Sequence, residues 1–165
     1  MKKGDVWISA VLYMALGIII LVIVLSVGIP VVNKIRDKNV AINTKELMFD
    51  LDRNIRTVYS EGPGSRRPLR IEITKGIFSV DAEKDEVIWT FDTKLLLSQP
   101  NVPVKEGNLI IKSNQGSSSE FQTEYILNYS TVLNLNSTAG TNFISGKTNI
   151  ILTNVGNNTI LVDVY

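Results

Sequence analysis

Hydrophobic and polar positions divide the chain into three stretches, and the first of them is uniformly apolar. From Val6 to Val32 no residue is charged. A helix of this run is roughly 40 Å long at about 1.5 Å per residue, and a hydrocarbon core of about 30 Å needs only about 20 apolar residues. The run is also apolar on every side, which an amphipathic surface helix is not. The pattern therefore predicts a helix that spans a membrane.

The second stretch, residues 33–61, has the periodicity of an amphipathic helix. Its apolar positions recur at spacings of four, four and three, which places them on one helical face: Leu47, Leu51, Ile55 and Val58, extended at a spacing of seven by Ile35 and Ile42. Charged residues fall on the opposite side: Lys38, Lys45, Asp52, Arg53 and Arg56. Gly62 and Pro63 then end the helix. We expect the apolar face to pack on the rest of the chain.

The third stretch, residues 62–165, alternates apolar and polar residues as strands do. The predicted strands are 69–74, 77–80, 87–91, 108–113, a longer β-rich run over 121–135, 149–154 and 159–165. Polar turns at 81–86 and 155–158 join two of the pairs into hairpins, and Trp89 and Phe91 are expected in the core. The fold class predicted is α+β, with a long N-terminal hydrophobic α-helix followed by an antiparallel β-sheet or β-sandwich domain.

Composition excludes several kinds of chemistry. The formal net charge of +1 argues against nucleic acid as a partner, because phosphate neutralisation needs a basic excess. Cysteine and histidine are both absent, which removes thiolate catalysis, the commonest general base and the commonest metal ligands. No Ser or Asp lies in a nucleophile motif. We therefore expect no enzyme activity, no catalytic residues and no cofactor.

One acidic cluster invites a metal-binding interpretation. Asp81, Glu83, Asp85 and Glu86 lie within six positions of one another. A Ca²⁺ loop of the EF-hand type requires a central glycine and a terminal glutamate at fixed offsets, and neither is present. The sequence favours a solvated turn and no metal site.

The first residues carry a resemblance to a known family. Met1-Lys2-Lys3-Gly4, followed at once by the long uncharged helix, resembles the class III signal peptides of archaeal type IV pilins and archaellins. The resemblance implies that a prepilin peptidase cuts between Gly4 and Asp5 and leaves the hydrophobic helix in the mature protein. Many type IV pilins carry glutamate at the fifth mature position, whereas this chain has Ser9 there. Archaellins lack that glutamate too, so the difference weakens the likeness to bacterial pilins more than the likeness to the archaeal proteins. A plain basic flank of a membrane anchor is the alternative.

The resemblance also implies a domain organisation. Residues 1–4 form the leader, residues 5–61 form the long helix, of which 5–32 is the hydrophobic membrane or filament core, and residues 62–165 form an extracytoplasmic, pilin-like β domain. The precursor is then a single-pass membrane protein, and the assembled form belongs to a cell-surface filament. The implied partners are further copies of the chain, the membrane before assembly, the prepilin peptidase and the pilus assembly machinery.

Small or helix-perturbing residues in the apolar run are candidates for helix packing during assembly: Ala10, Ala15, Gly17, Ser26 and Pro30. A small side chain at mid-membrane lets another helix approach closely. Pro30 removes a backbone hydrogen bond, so it marks either a point at which the helix bends as subunits stack or a simple kink at the membrane edge.

Three N-glycosylation sequons lie in the β domain, at Asn128, Asn136 and Asn157. Each has the Asn-X-Ser/Thr pattern that N-glycosylation requires. In an exported protein they are candidate modification sites.

The sequence supports one leading function and two alternatives. The leading hypothesis is a structural subunit of an archaeal type IV pilus-like filament, in adhesion or surface attachment. The first alternative is a monomeric membrane-anchored β ectodomain that acts as a binding module. The second is a minor pseudopilin of a secretion or uptake machine.

Overall fold

The computed structural model describes residues 3–116, 120–138 and 142–164, and the side chains of these residues apart from 3–6 and 142–145. One helix, α1 (Lys3–Glu61), precedes all of the strands. The strands in chain order are β1 (Arg66–Asp81), β2 (Glu86–Thr93), β3 (Val104–Glu106), β4 (Leu109–Gln115), β5 (Phe121–Asn128), β6 (Asn134–Ser137), β7 (Asn142–Gly156) and β8 (Thr159–Val164).

The eight strands of the described residues form one sheet, in the order β3-β4-β5-β2-β1-β7-β8-β6. Every neighbouring pair is antiparallel except β6 and β8, which are parallel. The predicted α+β class is confirmed. Of the two predicted arrangements, the strands adopt the sheet and not the sandwich, because all of them are hydrogen-bonded into one continuous sheet.

The chain divides into two compact units, Met1–Arg36 and Asp37–Tyr165. The hydrophobic core belongs to the second unit. In α1, the buried residues that enter it succeed one another at spacings of three and four, as one helical face requires: Ala41, Thr44, Met48, Leu51, Ile55 and Val58. They pack with one face of the sheet, where the largest buried side chains include Trp89, Tyr125 and Phe78. Trp89 and Phe91 are both buried, as predicted.

The predicted apolar face of α1 is right at its C-terminal end and wrong at its N-terminal end. Leu51, Ile55 and Val58 are buried, and Leu47 is half-buried. Ile42, in contrast, is 43% exposed. The reason is that small residues, not the isoleucine, continue the buried line. Ile35, which belongs to the first unit, is exposed as well.

Two strands predicted separately, 69–74 and 77–80, are one strand, β1. An irregularity in its pairing with β7 falls between Ile73 and Ile77. Within it Gly76 has φ +97°, and a Cβ there would lie 2.2 Å from the carbonyl oxygen of Thr90. Only glycine fits that position. The indole of Trp89 donates to the Lys75 carbonyl oxygen at 3.0 Å and fixes the bend.

The predicted β-rich run over 121–135 is interrupted. β5 ends at Asn128, and β6 begins only at Asn134. Between them the Leu133 N–H donates to the Tyr129 carbonyl at 3.0 Å, which closes a turn, and the Tyr129 N–H donates to the Asp85 carbonyl at 2.9 Å. The turn carries the chain across to β8, where β6 makes its parallel pairing.

Both predicted hairpins form. β1 and β2 meet at the register pair Asp81 and Glu86. β7 and β8 are joined through Asn157 and Asn158, whose φ values are 50° and 62°. Two left-handed residues in succession are the requirement of the tight turn that suits the twist of a hairpin, and asparagine tolerates that conformation.

Candidate membrane and assembly site

The apolar segment (residues 7–32 of α1) exposes all of its large apolar side chains. Their exposed fractions run from 48% at Leu25 and Val32 to 77% at Trp7. A soluble monomer rarely exposes a contiguous apolar patch of more than about a few hundred Å². The segment therefore needs a covering that the described residues do not supply, either lipid or other apolar helices.

Its length and composition suffice for a membrane crossing. The helix contains an 18-residue window with a mean hydropathy of 3.0, and none of that window is buried. It is the one such helix among the described residues. A single-pass anchor is thus consistent with the structure. A helix pairs its backbone groups within the segment, as hydrocarbon requires, except at Pro30, which has no N–H to donate.

The five small or helix-perturbing positions do not form a single stripe. At about 100° per residue, Ala10 and Gly17 lie within about 20° of one line along the helix, and Gly28, a further small residue of the segment, lies on the same line. Ala15 and Ser26, eleven residues apart, share a second line that is about 150° away from the first, and Pro30 lies about 40° from Ser26. The segment thus has two narrow faces of small side chains, and a helix packed against one need not touch the other.

Side chains added at the glycines of the segment meet no obstacle within the chain. A Cβ at Gly17 or Gly28 would have no neighbouring atom within 4 Å. A substitution there changes the outer surface of the helix and leaves its internal packing alone. Any effect of such a change on assembly must therefore come from what lies outside the chain.

Ser26 and Pro30 are four residues apart, or about one helical turn. The Ser26 hydroxyl donates to the Ile23 carbonyl oxygen at 2.8 Å, so this polar group is satisfied without a partner helix. Pro30 lies inside α1 and has no N–H to donate to the carbonyl four residues back, which is that of Ser26.

The predicted leader junction, Gly4 and Asp5, lies in the first turn of α1, and its side chains are outside the described residues.

A carboxylate of α1 that was predicted to face solvent instead accepts hydrogen bonds from the sheet domain. Asp52 Oδ1 accepts from the Tyr129 hydroxyl at 2.8 Å and from Asn108 Nδ2 at 3.0 Å. Arg56 Nε donates to both Asp52 oxygens, at 3.1 and 3.0 Å. Burial, and then the charge of Asp52, raise the pKa of Tyr129 far above its ordinary value. The four residues bind α1 to the β domain.

The C-terminal end of α1 is held by a second polar contact. Asn154, on β7, is buried, and its Nδ2 donates to the carbonyl oxygens of Val58 and Tyr59 at 3.2 and 3.3 Å. These carbonyls belong to the last turn, where helical partners run out. Sequence reasoning missed both Asn154 and Asp52, because nothing near either residue in the chain marks its partner.

The acidic turn has structural uses for its carboxylates. Asp81 Oδ1 accepts from the N–H groups of Glu83 and Lys84 at 3.1 Å, and a hydrogen bond with the Lys84 ammonium lowers the pKa of Asp81. Asp85 accepts from the Leu135 N–H at 2.8 Å. Among the described residues no group of three or more acidic side chains is arranged to hold a metal ion.

The three sequons differ in accessibility. Asn136, on the edge strand β6, and Asn157, in the β7–β8 turn, are exposed. Asn128 is half-buried, and its Nδ2, the atom that a glycan would modify, donates to Glu86 Oε1 at 2.7 Å. Glycosylation therefore remains a prediction, with Asn136 and Asn157 the better placed acceptors.

Comparisons with protein-family models, with curated proteins and with solved structures found no match to this chain.

Proposed function

We propose that the chain is a structural subunit of an archaeal type IV pilus-like cell-surface filament, with a role in adhesion or surface attachment. One observation carries the proposal. The apolar segment is exposed on every side, whereas the second unit already contains a complete core of its own. Since the segment is not needed to fill that core, its apolar surface is available for lipid first and for sister helices afterwards.

The resemblance of the first four residues to a class III signal peptide implies an order of steps in assembly. A prepilin peptidase removes Met1–Gly4, the mature helix waits in the membrane, and the assembly machinery transfers it into a bundle of identical helices. The β domains then coat the outside. The partners in this scheme are the membrane, the peptidase, the assembly machinery and further copies of the chain. The scheme assigns no catalytic role, no cofactor and no nucleic acid.

A membrane-anchored binding module is the second candidate. The observation that favours it is the same independent core in Asp37–Tyr165, which needs no neighbouring copy to be complete. A minor pseudopilin shares the packing physics of the filament subunit and differs in abundance.

Shearing of intact cells separates the first two candidates. A filament subunit is released by shear and sediments at high speed as a polymer, and its mild-detergent extract contains large assemblies. An anchored module stays in the membrane fraction and runs as a monomer in mild detergent. Recovery of the chain only in that monomeric membrane form contradicts the filament proposal.

A further inference from the structure

A leucine-rich segment, residues 94–98, follows β2 and is held by hydrogen bonds near both of its ends. The Lys94 N–H donates to Asp37 Oδ2 at 3.1 Å, and the next N–H donates to Thr93 Oγ1, also at 3.1 Å. At the other end the Ser98 N–H donates to Ser113 Oγ at 3.2 Å. Leu96, between the two anchored positions, has 52% of its surface exposed. An anchored loop that presents an exposed leucine is a surface suited to docking.

Three lysines belong to the region of Asp37, the residue that anchors this loop: one is paired with it, one follows it in α1, and one donates its backbone N–H to it. Lys75 Nζ lies 3.6 Å from Asp37 Oδ1, and Lys38 and Lys94 are both exposed. We call Asp37, Lys38, Lys75, Lys94 and Leu96 the Asp37 patch. The patch contains three lysines and one aspartate, so its own residues carry a net positive charge beside an exposed leucine. Lys38 also lines a cavity with Lys45 and Glu106, whose charges offset each other.

Asp37 lies close in the chain to the end of the apolar run, which points to the membrane surface as the partner of the patch. Asp37 comes five residues after Val32, where the uncharged run ends. Five residues cannot span more than about 18 Å even when fully extended. The headgroup layer adds about 5–7 Å to each side of the hydrocarbon core. Once the apolar segment is inserted, Asp37 therefore lies no more than about 18 Å beyond the hydrocarbon and within reach of the headgroup layer.

We propose that the Asp37 patch docks on the surface of an anionic bilayer while the chain is in the membrane. Leu96 enters the interfacial region, and the three lysines contact lipid phosphates, a combination of apolar burial and charge attraction that holds proteins at membrane surfaces. The inference rests on the membrane stage of the proposed function and adds a contact between the β domain and the lipid. That contact is released when the subunit leaves the membrane.

Fluorescence quenching tests the contact in the full chain. Because the chain has no cysteine, Leu96→Cys and Val155→Cys each give a single site for an environment-sensitive dye. Val155 is also exposed, at 54%, and it adjoins Asn154, which contacts the far end of α1. Each labelled protein is placed in vesicles of phosphatidylcholine with phosphatidylglycerol that contain a headgroup-spin-labelled lipid. We expect several-fold stronger quenching at Leu96 than at Val155, and a marked decrease at Leu96 in phosphatidylcholine alone.

Charge variants identify the lysines. Lys38→Gln combined with Lys94→Gln should reduce the quenching at Leu96 several-fold, and it leaves the backbone bond from residue 94 to Asp37 in place. Arg66→Gln combined with Lys84→Gln removes the same charge from exposed positions elsewhere in the domain and should leave the quenching unchanged. Equal quenching at Leu96 and Val155, or no effect of the first pair, or no dependence on anionic lipid, overturns the proposal.

Vesicle flotation separates this inference from the one on which it rests. A chain that floats with vesicles while Leu96 stays unquenched overturns the docking of the patch and leaves the proposed function intact. A chain that does not float contradicts membrane insertion, and with it the proposed function as well as the docking.

Discussion

The hydroxyl of Tyr129 donates to Asp52 Oδ1 at 2.8 Å, across a separation of 77 residues in the chain. Tyr129 is fully buried, whereas the Asp52 side chain retains 17% exposure beside Arg56. This bond joins the middle of the amphipathic part of α1 to the turn after β5. It makes that part of the helix a component of the β domain.

Loss of the Tyr129 hydroxyl should destabilise the domain. Because the core lies wholly beyond Asp37, we expect a fragment of residues 33–165 to fold. Tyr129→Phe in this fragment should lower the free energy of unfolding by about 1.5–3 kcal/mol, the range for a hydrogen bond to a charged group. The matched control is Tyr59→Phe, whose hydroxyl donates to Asn158 in an exposed setting and should cost less. Urea unfolding measures both, and equal costs would contradict the assignment.

The same residue predicts a decline in stability at alkaline pH. The pKa of Tyr129 is raised in the folded state by burial and by the charge of Asp52, while an unfolded tyrosine titrates near pH 10. The stabilisation is therefore complete below about pH 10 and is lost as the pH rises further, because only the unfolded chain then releases the proton readily. Tyr129→Phe should show a shallower loss between about pH 9 and pH 11 in urea unfolding. An identical pH dependence in the two proteins would show that Tyr129 does not contribute.

The boundary between buried and exposed faces of α1 can be tested with two alanine substitutions. Leu51 is 3% exposed, so Leu51→Ala should destabilise the 33–165 fragment by about 2–5 kcal/mol through loss of burial and the cavity left behind. Ile42→Ala removes a side chain of the same volume from an exposed site, and its effect should stay within about 0.5 kcal/mol. Thermal or urea unfolding gives both values. A large cost at both sites would restore the face predicted from periodicity, which contains Ile42 as well as Leu51, and no cost at Leu51 would contradict its burial.

Processing of the leader predicts the mass of the native protein. If a prepilin peptidase acts at the Lys2-Lys3-Gly4 flank, the mature chain begins at Asp5. Intact mass spectrometry of material isolated from the native host measures this directly. A chain that retains Met1, or one that begins beyond Val32, would rule out processing of this class.

Bulk in the apolar segment should affect assembly more than insertion. Gly17→Leu keeps the helix apolar, and a Cβ at Gly17 has open space around it outside the adjacent helix backbone, so insertion should be normal. In a packed bundle the added side chain should cost about 1–3 kcal/mol per copy. Ala10→Leu tests the same face, and Ala15→Leu and Ser26→Leu test the second one.

Ile19→Leu, which conserves volume, is the control for this series. Membrane fractionation measures insertion, and the polymer recovered by shearing measures assembly. If all four enlargements assemble like the control, close helix packing is not what joins the subunits.

Local pattern predicted the elements of this fold better than it predicted their arrangement. The two hairpins followed from alternation and turn residues, and the end of α1 followed from Gly62 and Pro63. Which side of the helix is buried near Ala41 was harder to predict from the sequence. Ala41 and Thr44, which are buried, are less hydrophobic than Ile42, which lies beside the buried face and is exposed.

Long-range relationships left no local trace. The parallel pairing of β6 with β8, the strand order, and the contacts of Asp52 and Asn154 join positions that are distant in the chain. An aspartate on a helix has the same sequence neighbours whether its carboxylate meets water or a buried tyrosine. For the apolar segment the sequence indicated length and lack of charge, and the separation of its two small faces follows from residue numbers once the segment is helical.

The central claim is that the apolar helices of many copies form the core of a filament. Electron microscopy of material sheared from cells, with immunogold labelling against the β domain, tests it most directly. The account predicts labelled filaments of uniform width, which decrease in number for Gly17→Leu while the amount of chain in the membrane is unchanged. Sheared material without labelled filaments, from cells whose membranes contain the wild-type chain as a monomer, would contradict it.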